Sequence, residues 1–273
     1  AGRRYLKEVM SKNTESLILQ LLDAARAAGA DGADAGMSRS EGTSVTVRLG
    51  KVESSERSED IGAALRVFVG KRNASISTSQ LDSDSIAELA ERAVAMARVA
   101  PEDPYVRLAT AEEVAGTLPE IDLYDDAVPA VEHLTETATA VEAAALSNDG
   151  ITNSEGAEAS WSSSDVSIAA SNGFTGAYRS TGHGFWVAVL AGEGTGMERD
   201  YESTSATYAA DLDAPNYVGQ TAGERAVARL NPRKVETQQV PVVFAPRVSN
   251  GLVRHLAGAV NGSAIARGTS FLK

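Results

Sequence analysis

The chain has 273 residues, 43% of them hydrophobic and 23% charged, a composition typical of a globular protein with a substantial core. Its formal net charge of -12 argues against a direct nucleic-acid partner, because the field of the protein repels phosphate groups. It has no cysteine, which excludes disulfides and a thiol nucleophile within these residues, and no apolar run near the roughly 20 residues of a membrane helix, so we expect a cytoplasmic protein that does not contact membranes.

Residues 1–125 predict an N-terminal α/β lobe in which helices flank a small antiparallel sheet. A first helical pattern stops at the glycine-rich GADGADAG. Strand patterns with one apolar face follow at residues 45–49 and 61–69. A second helix is predicted after them, with Ser85 and Glu88 at capping-box spacing. Its buried stripe is predicted to consist of Ile86, Leu89, Ala90, Ala93, Val94 and Ala97.

Residues 101–128 predict the link to a second lobe, because prolines and acidic residues concentrate there. We expect residues 126–273 to form a larger β-rich lobe with long hairpins and flanking helices. Pro129 is predicted to be the first residue of a helix that ends at Asn148-Asp149-Gly150. The whole chain is therefore assigned to the α+β class.

A serine-rich stretch over residues 153–181 predicts two strands joined by a tight turn. Its apolar residues lie at odd positions up to Trp161 and at even positions from Val166, which predicts a bulge or turn across Ser162–Asp165. The Asn172-Gly173 pair predicts the hairpin turn. The stretch lacks a G-x-S-x-G elbow, so we interpret its serines as the solvent-facing side of a sheet rather than as a nucleophile.

The next segments predict a central strand and an acidic strand. Residues 185–191 are apolar on both faces, which is typical of a strand flanked on both sides. The G-x-G-x-G run at 192–196 precedes a charged strand rather than a helix, so a hairpin turn is favoured over a nucleotide site. That strand places Glu198, Asp200 and Glu202 on one face. A helix over 217–230, a strand over 240–244 and a last helix from Pro246 complete the prediction.

Few residues indicate chemistry by themselves. His133, early in a helix, and His183, placed in a turn between glycines, are interpreted as packed or solvated residues. His255 lies on an apolar face of the last helix. Arg199 shares a strand face with Met197 and Tyr201, so it either forms a structural ion pair or contacts substrate. The candidates for a substrate groove or an interface are Asn172, Gly173, Arg199, Asp200 and Tyr201.

Several blocks along the chain are similar, in the same order, to the TldD/PmbA family, once called modulators of DNA gyrase, and specifically to its PmbA or TldE branch. They include SNGFTGAYRST, GMERDYEST, LNPRKVETQQVPVVFAP and NGLVRHLAGAVNGSAIARGTSFL. The resemblance implies a cytosolic metalloprotease system in which a TldD-like chain and a PmbA-like chain pair as a heterodimer. It also implies peptide substrates, namely unfolded proteins, leader peptides and antitoxins.

For the last helix, the resemblance implies a lost metal site. TldD-type chains carry H-E-x-x-x-H there, in which two histidines bind zinc and the glutamate acts as general base. Aligned on Gly251 and on RGTSF at 267–271, this chain keeps His255 but has Leu256 and Val260 in place of the glutamate and the second histidine. Leucine accepts no proton and valine offers no lone pair, so we expect no catalytic residue, metal or cofactor in this chain and zinc in a TldD-like partner.

Three alternatives stay open. In TldD-type chains a β-rich C-terminal region supplies another metal ligand, and that family region is absent from these residues, so a hydrolase with its ligands there is one alternative. A non-proteolytic regulatory or binding protein, as the gyrase-modulator name implies, is another. A homodimer is the alternative to pairing with a TldD-like chain.

Overall fold

The computed structural model describes residues 12–110, 112–116 and 118–272. In this part of the chain, helices and antiparallel strands are combined, which confirms the predicted α+β class. The helices are α1 (Lys12–Ala27), α2 (Ser83–Val99), α3 (Val131–Leu146), α4 (Pro215–Ala228), α5 (Pro246–Ala259) and α6 (Gly262–Ala266). The strands are β1 (Gly32–Arg48), β2 (Lys51–Val69), β3 (Arg72–Thr78), β4 (Ile151–Ala170), β5 (Thr175–Ala191) and β6 (Glu198–Ala206).

These six strands form one continuous sheet. Their order is β3-β2-β1-β4-β5-β6, and each neighbouring pair is antiparallel. At the centre, β1 pairs with β4 from Asp34 opposite Ala170 to Val47 opposite Ala157. The boundary predicted between residues 125 and 126 therefore lies in a connection between helices, while the sheet runs through both halves of the chain.

Four helices, α1 to α4, pack on the same face of the sheet, which we call the helix face. Side chains alternate along a strand, and the odd-numbered residues of β1, such as Met37 and Val45, point to this face. One core forms where α1 and α2 pack on one end of the helix face, with Ile18, Leu21, Leu65, Val67, Leu89 and Val94 among its buried residues. A second core forms at the other end under α3 and α4, with Val45, Val47, Val141, Val187, Val189 and Val218.

Between the two cores, the helix face carries mostly polar side chains. We call this region the middle strip and define it by Glu41, Thr43, Arg57, Trp161 and Ser163, which occupy odd positions on β1, β2 and β4. In the part of the chain that the structure describes, neither apolar core extends over the middle strip.

A buried carboxylate anchors α3 to the turn between β1 and β2. Glu142 is 1% exposed and accepts hydrogen bonds from the backbone N–H groups of Leu49 at 2.9 Å and Gly50 at 2.8 Å. The Ser154 hydroxyl donates to the same carboxylate at 2.5 Å. Leu49 and Gly50 both have positive φ, at 49° and 73°, as a two-residue hairpin turn of type I′ requires. Glu142 thus fixes the hairpin end relative to the helix that borders the middle strip.

The serine-rich stretch is more regular than its sequence predicts. β4 pairs with β5 without interruption over residues 157–169, so the predicted bulge across Ser162–Asp165 is wrong. The register shifts occur at the start of β4 instead, between Ile151 and Asn153 and between Ser154 and Gly156. The predicted hairpin turn is confirmed, because Gly173 has a φ of 92° and lies between the two strands.

The apolar residues change parity in this stretch because they belong to different faces of one strand. Ile168 is 41% exposed on the face opposite the helices, whereas Ser163 and Ser167 are buried on the helix face. The interpretation of all these serines as solvent-facing is therefore also wrong. Period-two alternation holds throughout, but buried serine replaces buried apolar residues in part of the strand.

The start of α2 differs from the prediction, although its buried face does not. The Asp82 carboxylate accepts the backbone N–H of Ser85 at 2.9 Å, so Asp82 is the N-cap and the capping box predicted at Ser85 and Glu88 is wrong. The six residues predicted as the buried stripe are all buried. The helix therefore begins earlier than its sequence pattern indicates, because an aspartate side chain caps it.

Two further boundaries are corrected. α3 begins at Val131 with Ala130 as its N-cap, and not at Pro129. Residues 240–244 form no strand; Val243 is 92% exposed and pairs with no strand of the sheet. β propensity alone does not form a strand where no partner strand is available.

The described residues form two compact units, one through Asn231 and one from Pro232 onward. The second unit contains α5 and α6, and the Ser270 hydroxyl donates to the Ala259 carbonyl at 2.7 Å within it. The predicted lobe over residues 126–273 is thus divided between these units. Among the described residues, no helix is long and apolar enough to cross a lipid bilayer.

Candidate functional site

The strongest candidate site lies on β4 and β5, next to the middle strip. Trp161 on β4 is directly opposite His183 on β5, and both side chains are buried, at 5% exposure each. The prediction of His183 in a turn between glycines is wrong. Its flanking glycines, Gly182 and Gly184, are strand residues, and their lack of side chains does not interrupt the pairing.

The connection between α2 and α3 passes beside these two residues and is fixed to β5. Thr181 donates its backbone N–H to the Leu123 carbonyl at 2.9 Å, and its hydroxyl oxygen accepts the backbone N–H of Asp125 at 2.9 Å. β6 pairs with β5 only from His183 onward. The connection therefore occupies the edge of β5 that β6 leaves open.

The half-buried Asp125 and the buried His183 form an acid–imidazole pair. Backbone donors, first the N–H of Ala209 and then that of Ala127, each at 2.9 Å, lower the pKa of the Asp125 carboxyl. Its Oδ2 lies 3.4 Å from His183 Nε2, yet that nitrogen has no hydrogen-bond partner in the described protein. Burial lowers the pKa of His183, and the Asp125 charge opposes this only in part. The imidazole is therefore neutral at pH 7.

Tyr208, in the loop after β6, joins the same network. Its hydroxyl donates to Asp122 and lies 2.9 Å from the Tyr124 carbonyl. The hydrogen bond to Asp122 raises the pKa of Tyr208 to about 12. On the other side of the connection, the Arg179 guanidinium lies 3.8 Å from the centre of the Tyr124 ring. These contacts hold the connection against both β5 and the loop after β6.

Two separate cavities lie beside these residues. The first, of about 350 Å³, is lined by Trp161, Glu41, Arg57 and the start of α3. The second, of about 260 Å³, is lined by His183, together with residues of α3 and the start of α4. Pro129 lines both cavities. Trp161 Nε1 and His183 Nε2 are the buried side-chain polar atoms without a partner among the described residues.

The residues predicted for a groove or interface on β6 have structural partners. Arg199 donates to Glu155 at 2.6 Å and lies 5.8 Å from the Tyr201 ring centre. Asp200 is 3% exposed and accepts a hydrogen bond at 3.3 Å from Arg229, the C-cap of α4. The acidic face of β6 thus packs on the arginines of α4.

The other predicted pair, Asn172 and Gly173, lies at the far end of β5. The Asn172 side chain donates to the Ala109 carbonyl at 2.9 Å, so it fixes the hairpin turn to the connection before α3. Arg199 pairs with Leu190, which lies near the opposite end of β5 from this turn. The structure therefore does not bring the five predicted groove residues into one site.

Helix α5 carries the positions that the resemblance marks as a lost metal site. His255 is exposed, and Leu256 and Val260 are 55% and 56% exposed. The helix is regular through Ala259, where Val260 forms its C-cap. Among the described residues, no group of three or more His, Cys, Asp or Glu side chains is arranged to hold a metal ion.

Local sequence patterns do not join Trp161 and His183 into a site. They assign Trp161 only to an inward-facing strand position, and His183 to a turn. The signal that could have joined them is the register of the β4–β5 hairpin. Counting back from a two-residue turn at Asn172-Gly173 places residue 161 opposite residue 184. The observed turn is one residue longer, because the Ala170 N–H donates to the Phe174 carbonyl, and it places residue 161 opposite residue 183.

Comparison with known proteins supports a specific family. Family models match twice: domain 1 of the PmbA/TldA metallopeptidases over residues 33–97, and the central domain of the same metallopeptidases over residues 124–230. The chain is 35% identical to Metalloprotease PmbA of Escherichia coli O157:H7, over 89% of this chain and 54% of that protein. It is 32% identical to a Metalloprotease PmbA homolog of Haemophilus influenzae, over 92% of this chain and 56% of that protein.

Solved structures share the fold. A candidate modulator of DNA gyrase from Bacteroides thetaiotaomicron superposes with a TM-score of 0.88 at 26% identity, covering 96% of this chain and 60% of that one. TldE from Thermococcus kodakarensis superposes with a TM-score of 0.62 at 16% identity, covering 78% and 47%. The fold and the two matched domains define a PmbA/TldD-type protein. The chain belongs to the PmbA/TldD metallopeptidase family, and it spans about half the length of the curated relatives it matches.

Proposed function

We propose that this chain is a PmbA- or TldE-like, non-catalytic subunit of a zinc metalloprotease. It acts in the cytoplasm with a TldD-like chain that holds the zinc, on unfolded polypeptides, leader peptides or antitoxins. The observation that supports this proposal is the residue content of α5, where the resemblance aligns Leu256 and Val260 with the general base and the second histidine of TldD-type chains.

The chemistry of these side chains supports a non-catalytic role. A zinc site needs nitrogen, oxygen or sulfur donors, and hydrolysis needs a base that takes a proton from the attacking water. Hydrocarbon side chains supply neither, and His255 alone is one ligand. A regular helix also places positions 255 and 260 about 140° apart, so even a histidine at 260 would not face the same ion without a distortion of α5.

The test compares the intact protein alone with the same protein mixed with a TldD-like chain. Bound zinc is measured by mass spectrometry, and proteolysis is followed on unfolded casein. We expect no stoichiometric zinc and no cleavage by the protein alone, and cleavage when the partner is added. His255→Ala should leave that partner-dependent activity unchanged. Stoichiometric zinc in the protein alone, with cleavage that His255→Ala abolishes, would overturn the proposal.

A second candidate function is a metalloprotease active without a partner. The names of the curated relatives, which call them metalloproteases, favour it, and the matched region is only about half of each relative. Its ligands would then lie outside residues 1–273. The same experiment identifies this case, because the intact protein would bind zinc and cleave casein alone, and His255→Ala would change neither.

A further inference from the structure

Two residues that face each other across β4 and β5 each carry a buried polar atom with unmet hydrogen-bonding capacity. In the part of the chain that the structure describes, Trp161 Nε1 and His183 Nε2 have no partner. A buried donor or acceptor without a partner is costly, and such atoms are rare in folded proteins. Two of them lie on directly opposed residues, so a molecule bound over this pair can supply both partners.

The two side chains are near enough for one extended ligand to contact both. Opposed residues of an antiparallel pair have Cβ atoms about 5 Å apart, and Trp161 and His183 point to the same face. Each lines its own cavity, and Pro129 borders both cavities. A ligand that spans the two cavities therefore passes over both side chains.

The charged groups around the cavities exclude an anionic ligand. Glu41, Glu56 and Arg57 line the first cavity, and Asp213 lines the second, where His133 is also present. Asp125 lies 3.4 Å from His183 Nε2. Carboxylate side chains therefore outnumber the one guanidinium around the cavities, and they would repel a ligand that carries a carboxylate or a phosphate group.

The hydrogen-bonding groups instead match a neutral backbone. The indole N–H is a donor only, while a neutral imidazole nitrogen donates or accepts according to its tautomer. Ala130, the N-cap of α3, lies at the border of the first cavity. Its methyl side chain accepts no hydrogen bond from the first backbone N–H groups of the helix. An extended peptide offers carbonyls and N–H groups in alternation and without net charge.

The first cavity is also accessible from the edge of the sheet. β3 pairs with β2 only from Ala63 to Val69, so the outer edge of β2 before Ala63 has no strand partner among the described residues. Ser55, Glu56 and Arg57 lie on that part of β2 and line the cavity. A polypeptide segment can therefore approach the middle strip from this side.

We propose that Trp161 and His183 form a binding site for the backbone of an unfolded polypeptide segment, in which the Trp161 indole N–H donates to a peptide carbonyl. This inference rests on the proposed function, because it assigns a part of the peptide's path to this subunit. It gives the non-catalytic chain a direct role in holding substrate.

The test measures binding of a fluorescein-labelled, unstructured peptide of Gly, Ser, Leu and Lys to the intact protein by fluorescence anisotropy. Trp161→Phe removes the indole N–H but keeps an aromatic ring, and it breaks no internal hydrogen bond. We expect it to weaken binding about three- to tenfold, the effect of losing one hydrogen bond. The matched control is Trp186→Phe on β5. Trp186 is 36% exposed, and its even-numbered position places it on the face of the sheet away from the helices. The affinity of this variant for the peptide should equal that of the wild type.

Circular dichroism and thermal unfolding of both variants establish that the fold is kept. Equal affinity of the wild type and Trp161→Phe, or no binding to the wild type, would overturn the site and would mean that the two polar atoms bind water only. The proposed function is tested by a separate measurement, the partner-dependent cleavage of casein. If casein is cleaved and Trp161→Phe binds the peptide as the wild type does, only the binding site is rejected. If Trp161→Phe binds the peptide more weakly but no casein is cleaved, only the proposed function is rejected.

Discussion

His183 couples the stability of this fold to pH. Burial lowers its pKa in the folded protein below the value of 6.5 for a free imidazole, so the unfolded chain binds a proton more readily than the folded chain does. Stability must therefore fall as pH drops below about 6.5. The lowered pKa of Asp125 acts in a different window, below the usual range of an aspartate, because its contribution is lost only when the carboxylate is protonated.

We expect the free energy of unfolding of the wild type to decrease between about pH 7 and pH 5, and this decrease to be smaller in His183→Gln. Glutamine keeps a polar group of similar size but does not titrate. The measurement is urea unfolding, followed by circular dichroism, across this pH range. The control is His133→Gln on α3, whose side chain is exposed and whose removal should leave the slope as it is in the wild type. Identical slopes for the wild type and His183→Gln would show that burial of this imidazole does not set the pH dependence.

At the scale of helices and strands, local patterns predict most elements. The buried stripe of α2, the turn at Asn172-Gly173 and the acidic face of β6 follow from periods of 3.6 and 2.0 residues. The strand predicted over residues 240–244 fails because its apolar residues have no partner strand. The bulge predicted across Ser162–Asp165 fails because buried serines resemble solvent-facing ones in sequence.

The candidate site is less predictable than the elements that carry it. Trp161 and His183 are 22 residues apart in sequence and meet only through the register of β4 on β5. An incorrect bulge shifts that register by one residue and sends one side chain to the opposite face. Cross-strand pairing, and not local propensity, therefore forms the site.

The packing of α3 on α4 depends on glycine. A Cβ at Gly219 would lie 2.4 Å from the Val141 carbonyl oxygen and 2.6 Å from the Ala144 Cβ. These helices therefore approach each other more closely than alanine permits, and α3 is the helix whose start borders both cavities.

Gly219→Ala is expected to destabilise the protein by about 1–3 kcal/mol, because the clash with the backbone outweighs the gain of up to about 1 kcal/mol in helix propensity. Urea unfolding measures the change. The matched control is Gln220→Ala, one residue further along the same helix and exposed, which should change stability by less than about 0.5 kcal/mol. Gly219→Ala as stable as the wild type would mean that α4 can move away from α3 without cost.

At the scale of the whole molecule, the two compact units differ in how well they bury apolar residues. The unit through Asn231 contains both cores. In the unit from Pro232 onward, α5 presents a stripe of apolar residues at four-residue spacing. Val248, Leu252, Leu256 and Val260 are 52%, 52%, 55% and 56% exposed in the described part of the chain. Exposed apolar stripes of this kind favour association.

We therefore expect the polypeptide of residues 1–273 to self-associate as its concentration rises, and the double variant Leu252→Glu, Leu256→Glu to remain monomeric at concentrations where the wild type does not. Sedimentation velocity measures the change. The control is Asn250→Glu, Ala257→Glu, which adds the same charge at exposed positions of α5 outside the stripe. If both pairs suppress association equally, added charge is the cause and the stripe is not the contact surface. If only the substitutions in the stripe do so, the apolar stripe of α5 is the contact surface.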